Sequence, residues 1–196
     1  MFAPSIWPPS STPSMWPLLH AVYMAPFVHT CVRPQRGFGA LLVEGNPLNY
    51  NNLQSNLRSY LDDPESRVVA VNSLIGTKAG MYAKIVDESG WWDGTESKIV
   101  GCKKEEGEGC QELRLVPDML AENSVPKTFA VLSMDFESRD VFYDRVMLGL
   151  NKGGYRPIYV VVELNPNYSK KVFEGLGYVS LGRWHYDEVF YWPGAS

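Results

Sequence analysis

Four short apolar runs, at residues 40–43, 67–72, 129–134 and 158–162, constrain this chain more than any other feature. Each has the length and the branched or bulky apolar residues of a buried strand, and each ends at a polar residue. The stretches between them are long enough for crossover connections. Strands alternating with helices at this spacing predict a parallel sheet with helices on its faces. The polar residues at the ends of the runs are Glu44, Asn72, Asp135 and Glu163. Ligands of open α/β sheets bind outside the carboxyl ends of the strands, so four such groups on one rim form a ligand-site layout.

The connecting stretches carry their own signals. Tyr50, Leu53, Leu57, Tyr60 and Leu61 recur at spacings of three and four, which predicts an amphipathic helix over 48–61, stopped by Asp62-Asp63-Pro64. Further helices are predicted over 116–123, over 140–151 before a glycine pair, and over 168–176 before Gly177. Residues 178–181 and 188–192 read as two closing antiparallel strands. The stretch 76–112 is hydrophilic, with an edge strand or hairpin arm at 81–86 and a solvated charged loop at 103–109. Trp91 and Trp92, in its middle, read as cover for the core, with a substrate wall as the alternative.

Residues 1–36 differ from everything that follows. They hold seven of the fourteen prolines and no Asp or Glu. Prolines at this density exclude regular helix and sheet interior, so the segment is expected to be disordered or an extended arm. Within it, 18–32 is more apolar and reads as a strand or short helix interrupted by Pro26. The patterned domain is expected over 37–196. A lack of acidic residues is also a property of organelle transit peptides.

Charge and cysteine usage narrow the partners. A net charge of −4 argues against nucleic acid, which wants a basic face. No run approaches the ~18 apolar residues of a membrane span. The three cysteines are odd in number and widely spaced, which is not a disulfide framework. A reducing, cytoplasmic setting is therefore expected. Cys102 and Cys110 form the one pair able to bond, across a charged loop. They lack zinc-like spacing, and no metal site is expected.

Asp135 and Glu137, just past the run at 129–134, are the first candidates for chemistry. They admit a second reading as caps for the following helix, where carboxylates offset the positive end of the helix dipole.

Several motifs, in order, resemble the FkbM-like family of S-adenosylmethionine-dependent methyltransferases. Leu41-Leu-Val-Glu44-Gly-Asn-Pro47 is similar to the family's second strand and helix start. Val71-Asn72-Ser73-Leu-Ile-Gly76 is similar to its third strand and turn. Leu132-Ser-Met-Asp135-Phe-Glu137 is similar to its Leu-Ser-Ile-Asp-Val-Glu signature, and Phe173-Glu-Gly-Leu-Gly177-Tyr178 to its late helix end. The match covers about residues 37–192.

The resemblance implies a Rossmann-like class I methyltransferase sheet, mostly parallel, with a closing antiparallel strand pair. It implies that S-adenosylmethionine is bound by Glu44, Asn46, Asn72, Ser73 and Asp135, with Glu44 accepting from the ribose hydroxyls. Asp135 and Glu137 are then the catalytic candidates for methyl transfer to a hydroxyl of a small molecule, sugar or lipid, with His185 behind them. The family's glycine-rich first turn should stand about twenty residues before Glu44. Residues 20–36 contain no glycine, and Ser138 stands where the signature has glycine. The first βα unit is therefore expected to be missing or replaced. The alternative reading is a catalytically inactive or truncated relative serving as a binding module.

Overall fold

The computed structural model describes residues 20–24, 39–63, 67–87, 97–135, 142–163, 170–185 and 187–195. The chain runs β1 (His20–Met24), β2 (Gly39–Glu44), α1 (Pro47–Leu61), β3 (Arg67–Asn72), β4 (Ile75–Gly76), β5 (Tyr82–Asp87) and β6 (Ser97–Cys102). It continues through β7 (Gln111–Glu112), β8 (Arg114–Leu115), α2 (Val116–Glu122), β9 (Thr128–Met134) and α3 (Phe142–Lys152). Then come β10 (Arg156–Glu163), α4 (Lys170–Gly175), β11 (Val179–Trp184) and β12 (Asp187–Tyr191). Single 3₁₀ turns follow β6 and β12.

Seven strands form one mixed sheet in the order β11-β12-β10-β9-β1-β2-β3. The five from β10 to β3 pair in parallel; β12 runs antiparallel to both its neighbours. The four apolar runs are β2, β3, β9 and β10, and the two closing strands are the β11–β12 pair. The fold is thus mixed α/β. The expected loss of the first strand is corrected: His20–Met24 lies between β2 and β9 and pairs with both. The five residues of the strand include no proline; the nearest in sequence are Pro17 and Pro26. The expected boundary at residue 36 falls outside the described residues, as do Trp91 and Trp92.

Parallel pairing fixes which side chains share a face. Leu41, Val43, Leu132, Met134, Val160, Val162 and Phe190 join Val116, Met119, Leu120, Met147 and Phe173 of α2, α3 and α4 in one core. Phe173 and Phe190 stack with ring centroids 4.4 Å apart. On the opposite face α1 lies over β2 and β3, with Leu53 against Leu42 and Val68. A crossover that continues in one direction stays on one face; reversing direction moves it to the other. That is why α1 and α3 lie on opposite sides.

The hydrophilic stretch 76–112 holds more structure than its composition suggested. β5 is flanked by β6 and β7 in a three-stranded antiparallel sheet, and β4 pairs with β8. Cys102 and Cys110 are bonded, eight residues apart. The charged loop between them includes a 3₁₀ turn, where Glu106 Oε1 accepts from the Lys103 amide at 3.2 Å.

Candidate functional site at the carboxyl rim

The carboxyl ends of β3, β2, β1, β9 and β10 lie along one edge of the sheet. The antiparallel β12 begins on that same edge, at Asp187 beside Glu163. The rim has three parts.

The first part is the turn from β2 into α1. Glu44 is buried and its Oε1 accepts from the Asn46 amide at 2.7 Å. Burial pushes its carboxyl from the ordinary 4.5 up to about 7, against the lowering effect of the Asn46 and Gly45 amides. Asn46 caps α1: its Oδ1 accepts from the Leu48 amide at 2.9 Å, and Pro47 opens the helix where no amide is required. A Cβ on Gly45 would stand 2.6 Å from Leu74 Cδ2, so the leucine side chain would have to shift to admit it.

The end of β3 is tied to this turn. The Asn72 side-chain amide donates to the Glu44 carbonyl at 2.8 Å, and the Ser73 amide donates to the same oxygen at 3.1 Å. Ser73 is itself buried, with its hydroxyl 3.4 Å from the Leu74 carbonyl. Glu44, Asn46, Asn72 and Ser73 therefore form one connected group.

The second part is Asp135, half-buried one residue past β9. The ladder pairs Met134 with Met24 and Met24 with Val43, so Asp135 stands two strands from the Glu44 group, about 10 Å at ~4.8 Å per strand. Glu137 lies outside the described residues.

The third part was only half visible in the sequence. Glu163 pairs in register with Asp187, and His185 turns between β11 and β12 with φ 56°. Burial and the Glu163 carboxylate push the Asp187 carboxyl up, and His185 opposes them. Asp187 escaped the sequence reading because its neighbour is set by the register of the closing hairpin, twenty-four residues away from Glu163. Among the described residues no group of three His, Cys, Asp or Glu side chains is arranged to hold a metal ion.

A seven-stranded mixed α/β sheet with a polar carboxyl rim defines the class of this protein. No family model matches the sequence, and no curated protein matches it. Among solved structures, the chain is similar to a methyltransferase FkbM from Methylobacillus flagellatus KT, at 13% identity and a TM-score of 0.47. The similarity covers 79% of this chain and 36% of that one, so this chain spans about a third of that protein's length.

Proposed function

We propose that the rim binds S-adenosylmethionine in a Rossmann-like class I methyltransferase arrangement, and that the chain transfers a methyl group to a hydroxyl of a small molecule, sugar or lipid. The observation that carries this reading is the strand order. From β1 the chain proceeds outward through β2 and β3, then returns to the other side of β1 with β9 and β10. That reversal makes a topological switch point between β1 and β9, where such sheets bind nucleotide-like ligands. Asp135 ends one strand of the crevice, and the Glu44 group ends the strand on the far side of β1.

The donor set fits the cofactor. A carboxylate offers about four acceptor sites, enough to hold a vicinal pair of ribose hydroxyls beside the two amides that Glu44 already accepts from. Asn46, Asn72 and Ser73 line the same turn, on the adenine side of this reading. When bound, the cofactor supplies an electrophilic methyl group on a sulfonium. The chain's part is to position the acceptor hydroxyl and receive its proton, with Asp135 as the candidate base and Glu137 as the second.

Calorimetric titration of the full chain with S-adenosylmethionine and S-adenosylhomocysteine tests this. Micromolar binding that tightens as pH rises through about 7, as Glu44 ionises, is the expected result. No heat at millimolar ligand rejects the cofactor assignment.

A second reading, a methyltransferase-like fold kept as a binding module, is favoured by one observation. The Glu44 carboxyl and the Asn72 amide are already engaged by neighbouring main chain, and residues 20–36 offer no glycine for close backbone approach to a ligand. Cofactor binding without turnover of any hydroxyl acceptor would select it.

A further inference from the structure

A disulfide joins the two outer strands of the β5–β6–β7 sheet. Cys102 is the last residue of β6, and Cys110 directly precedes β7. Both strands meet β5 at the same point, where Tyr82 pairs with Cys102 on one side and with Glu112 on the other. The two are not held equally. Among the described residues β6 pairs with β5 over six residues, and β7 over two, Tyr82 and Ala83. So short a strand contributes little pairing of its own, and the bond to Cys102 supplies a large share of its hold.

The chain after β7 leads to the carboxyl rim. The Leu113 amide donates to the Met81 carbonyl at 2.8 Å, and the Arg114 amide to the Leu74 carbonyl at 2.9 Å. Arg114 and Leu115 then pair with Ile75 and Gly76, as β8 with β4. Leu74 is buried, with its Cδ2 against Gly45. The Ser73 amide, one residue earlier, donates to the Glu44 carbonyl at 3.1 Å. Ile85 of β5 reaches the same glycine, its Cδ1 3.7 Å from where a Cβ would stand. The path from Cys110 to the turn that holds Glu44 is therefore one short run of chain and one layer of side chains.

The bond is also open to chemistry. Residues 103–109 are exposed along their length, and both cysteines are only half-buried. Access to the sulfurs is a main control on thiol–disulfide exchange. Cys110 Sγ stands 3.2 Å from the Lys103 carbonyl, an acceptor for the thiol once it is freed.

We infer that Cys102–Cys110 is a thiol–disulfide switch: reduction by a dithiol releases β7 and β8 and loosens the β2–α1 turn at Glu44, and re-formation of the bond restores both. A thiolate of the reductant attacks one sulfur, the S–S bond breaks, and the other sulfur leaves as a thiolate and takes a proton. The reductant's second thiol then displaces the first cysteine from the mixed disulfide. Two electrons and two protons pass, leaving two cysteine thiols and an oxidised dithiol. The bond is the element with two states, and the contacts through Leu74 and Ile85 carry its state to the turn. The inference concerns the structure of that turn and is independent of what the rim binds.

Amide exchange read by mass spectrometry in the full chain tests it, with and without dithiothreitol. Cys31→Ser is the background throughout, so that the third cysteine takes no part. Reduction should speed exchange at least severalfold in peptides covering 110–115, 73–76 and 44–48, with β9 and β10 unchanged. Oxidised glutathione, after the dithiol is removed, should return the slow pattern. Cys102→Ser with Cys110→Ser should show the reduced pattern with or without dithiothreitol. Faster exchange confined to 103–110 would separate the bond from the rim and overturn the inference. So would a bond that resists dithiothreitol in the folded protein, or one that does not re-form. Faster exchange in β9 and β10 overturns it as well, since the whole fold has then opened, and so does a double variant that exchanges like the bonded protein.

Discussion

Glu44→Gln isolates the one buried carboxyl that ties the rim together. Glutamine keeps a side-chain oxygen able to accept from the Asn46 amide, but it cannot ionise. In the unfolded chain Glu44 titrates at the ordinary 4.5; in the fold, burial raises it to about 7. Below the lower value both states are protonated and the residue carries no electrostatic penalty. Between the two values the unfolded chain loses its proton and the folded protein keeps it, so stability falls as pH rises. Above about 7 both are ionised, and the penalty is complete and constant. The separation sets an upper limit of about 3 kcal/mol, and residual water at the rim lowers the expected value to about 2 kcal/mol. Urea unfolding of both proteins, from about pH 4 to about pH 8, reads this penalty directly. The variant should gain on the wild type progressively over that range and then level off. A stability difference that does not change with pH would refute the burial argument, whatever its size.

Three other perturbations probe separate parts of the frame. Lys170→Ala removes the ammonium 3.2 Å from Glu188 Oε1, a buried carboxylate that also accepts from the Ser180 hydroxyl at 2.5 Å; thermal unfolding should show a loss of about 1–3 kcal/mol, largely recovered in Lys170→Ala with Glu188→Gln. Cys102→Ala opens the eight-residue link beside β5, and hydrogen exchange should rise across the β5–β6–β7 sheet by an amount corresponding to about 2–3 kcal/mol, with exchange in β9 and β10 unchanged. Gly76→Ala places a Cβ 2.6 Å from the Leu113 Cβ, an atom that cannot swing aside, so a loss of about 1–3 kcal/mol is expected in chemical denaturation.

The large sheet was legible because its strands announce themselves twice. β9 and β10 each carry an apolar run, largely buried in β9 and buried on alternate residues in β10, and β3 is rich in valine. The helix over Pro47–Leu61 was legible from its apolar spacing and its stop. What stayed hidden is what depends on partners distant in sequence. β1 is a five-residue run among prolines, and only pairing with β2 and β9 identifies it. The β5–β6–β7 sheet is solvated and short, so its apolar content gives no strong signal; its strand pairing and the Cys102–Cys110 bond hold it. The cysteine pair was foreseen as the one able to bond, yet spacing alone could not favour the bond over two thiols. The site divides in the same way. Glu44, Asn72 and Asp135 could be placed at strand ends from the sequence, whereas the turning of Glu44 onto the Asn46 amide shows only in the folded β2–α1 turn.

That inward turn bears on the functional reading more than the identity of the residue does. A carboxylate at this strand end serves a ligand only if its remaining acceptor sites face outward and it is charged when the ligand arrives. Glu44 is buried and titrates at about 7, so near neutral pH the two protonation states are comparably populated. Ribose hydroxyls donate to the charged form and would favour it, drawing the titration downward and releasing a proton on binding. The Asn46 and Gly45 amides act in the same direction without a ligand. The turn is therefore both the start of α1 and half prepared for an anionic acceptor, and a ligand that completes the hydrogen bonding would remove the residual cost of burial. Proton uptake or release measured by titration in buffers of different ionisation enthalpy distinguishes the two roles. Net release of a fraction of a proton near pH 7 marks Glu44 as a ligand group, and binding with no proton exchange leaves it as the clasp of the β2–α1 turn.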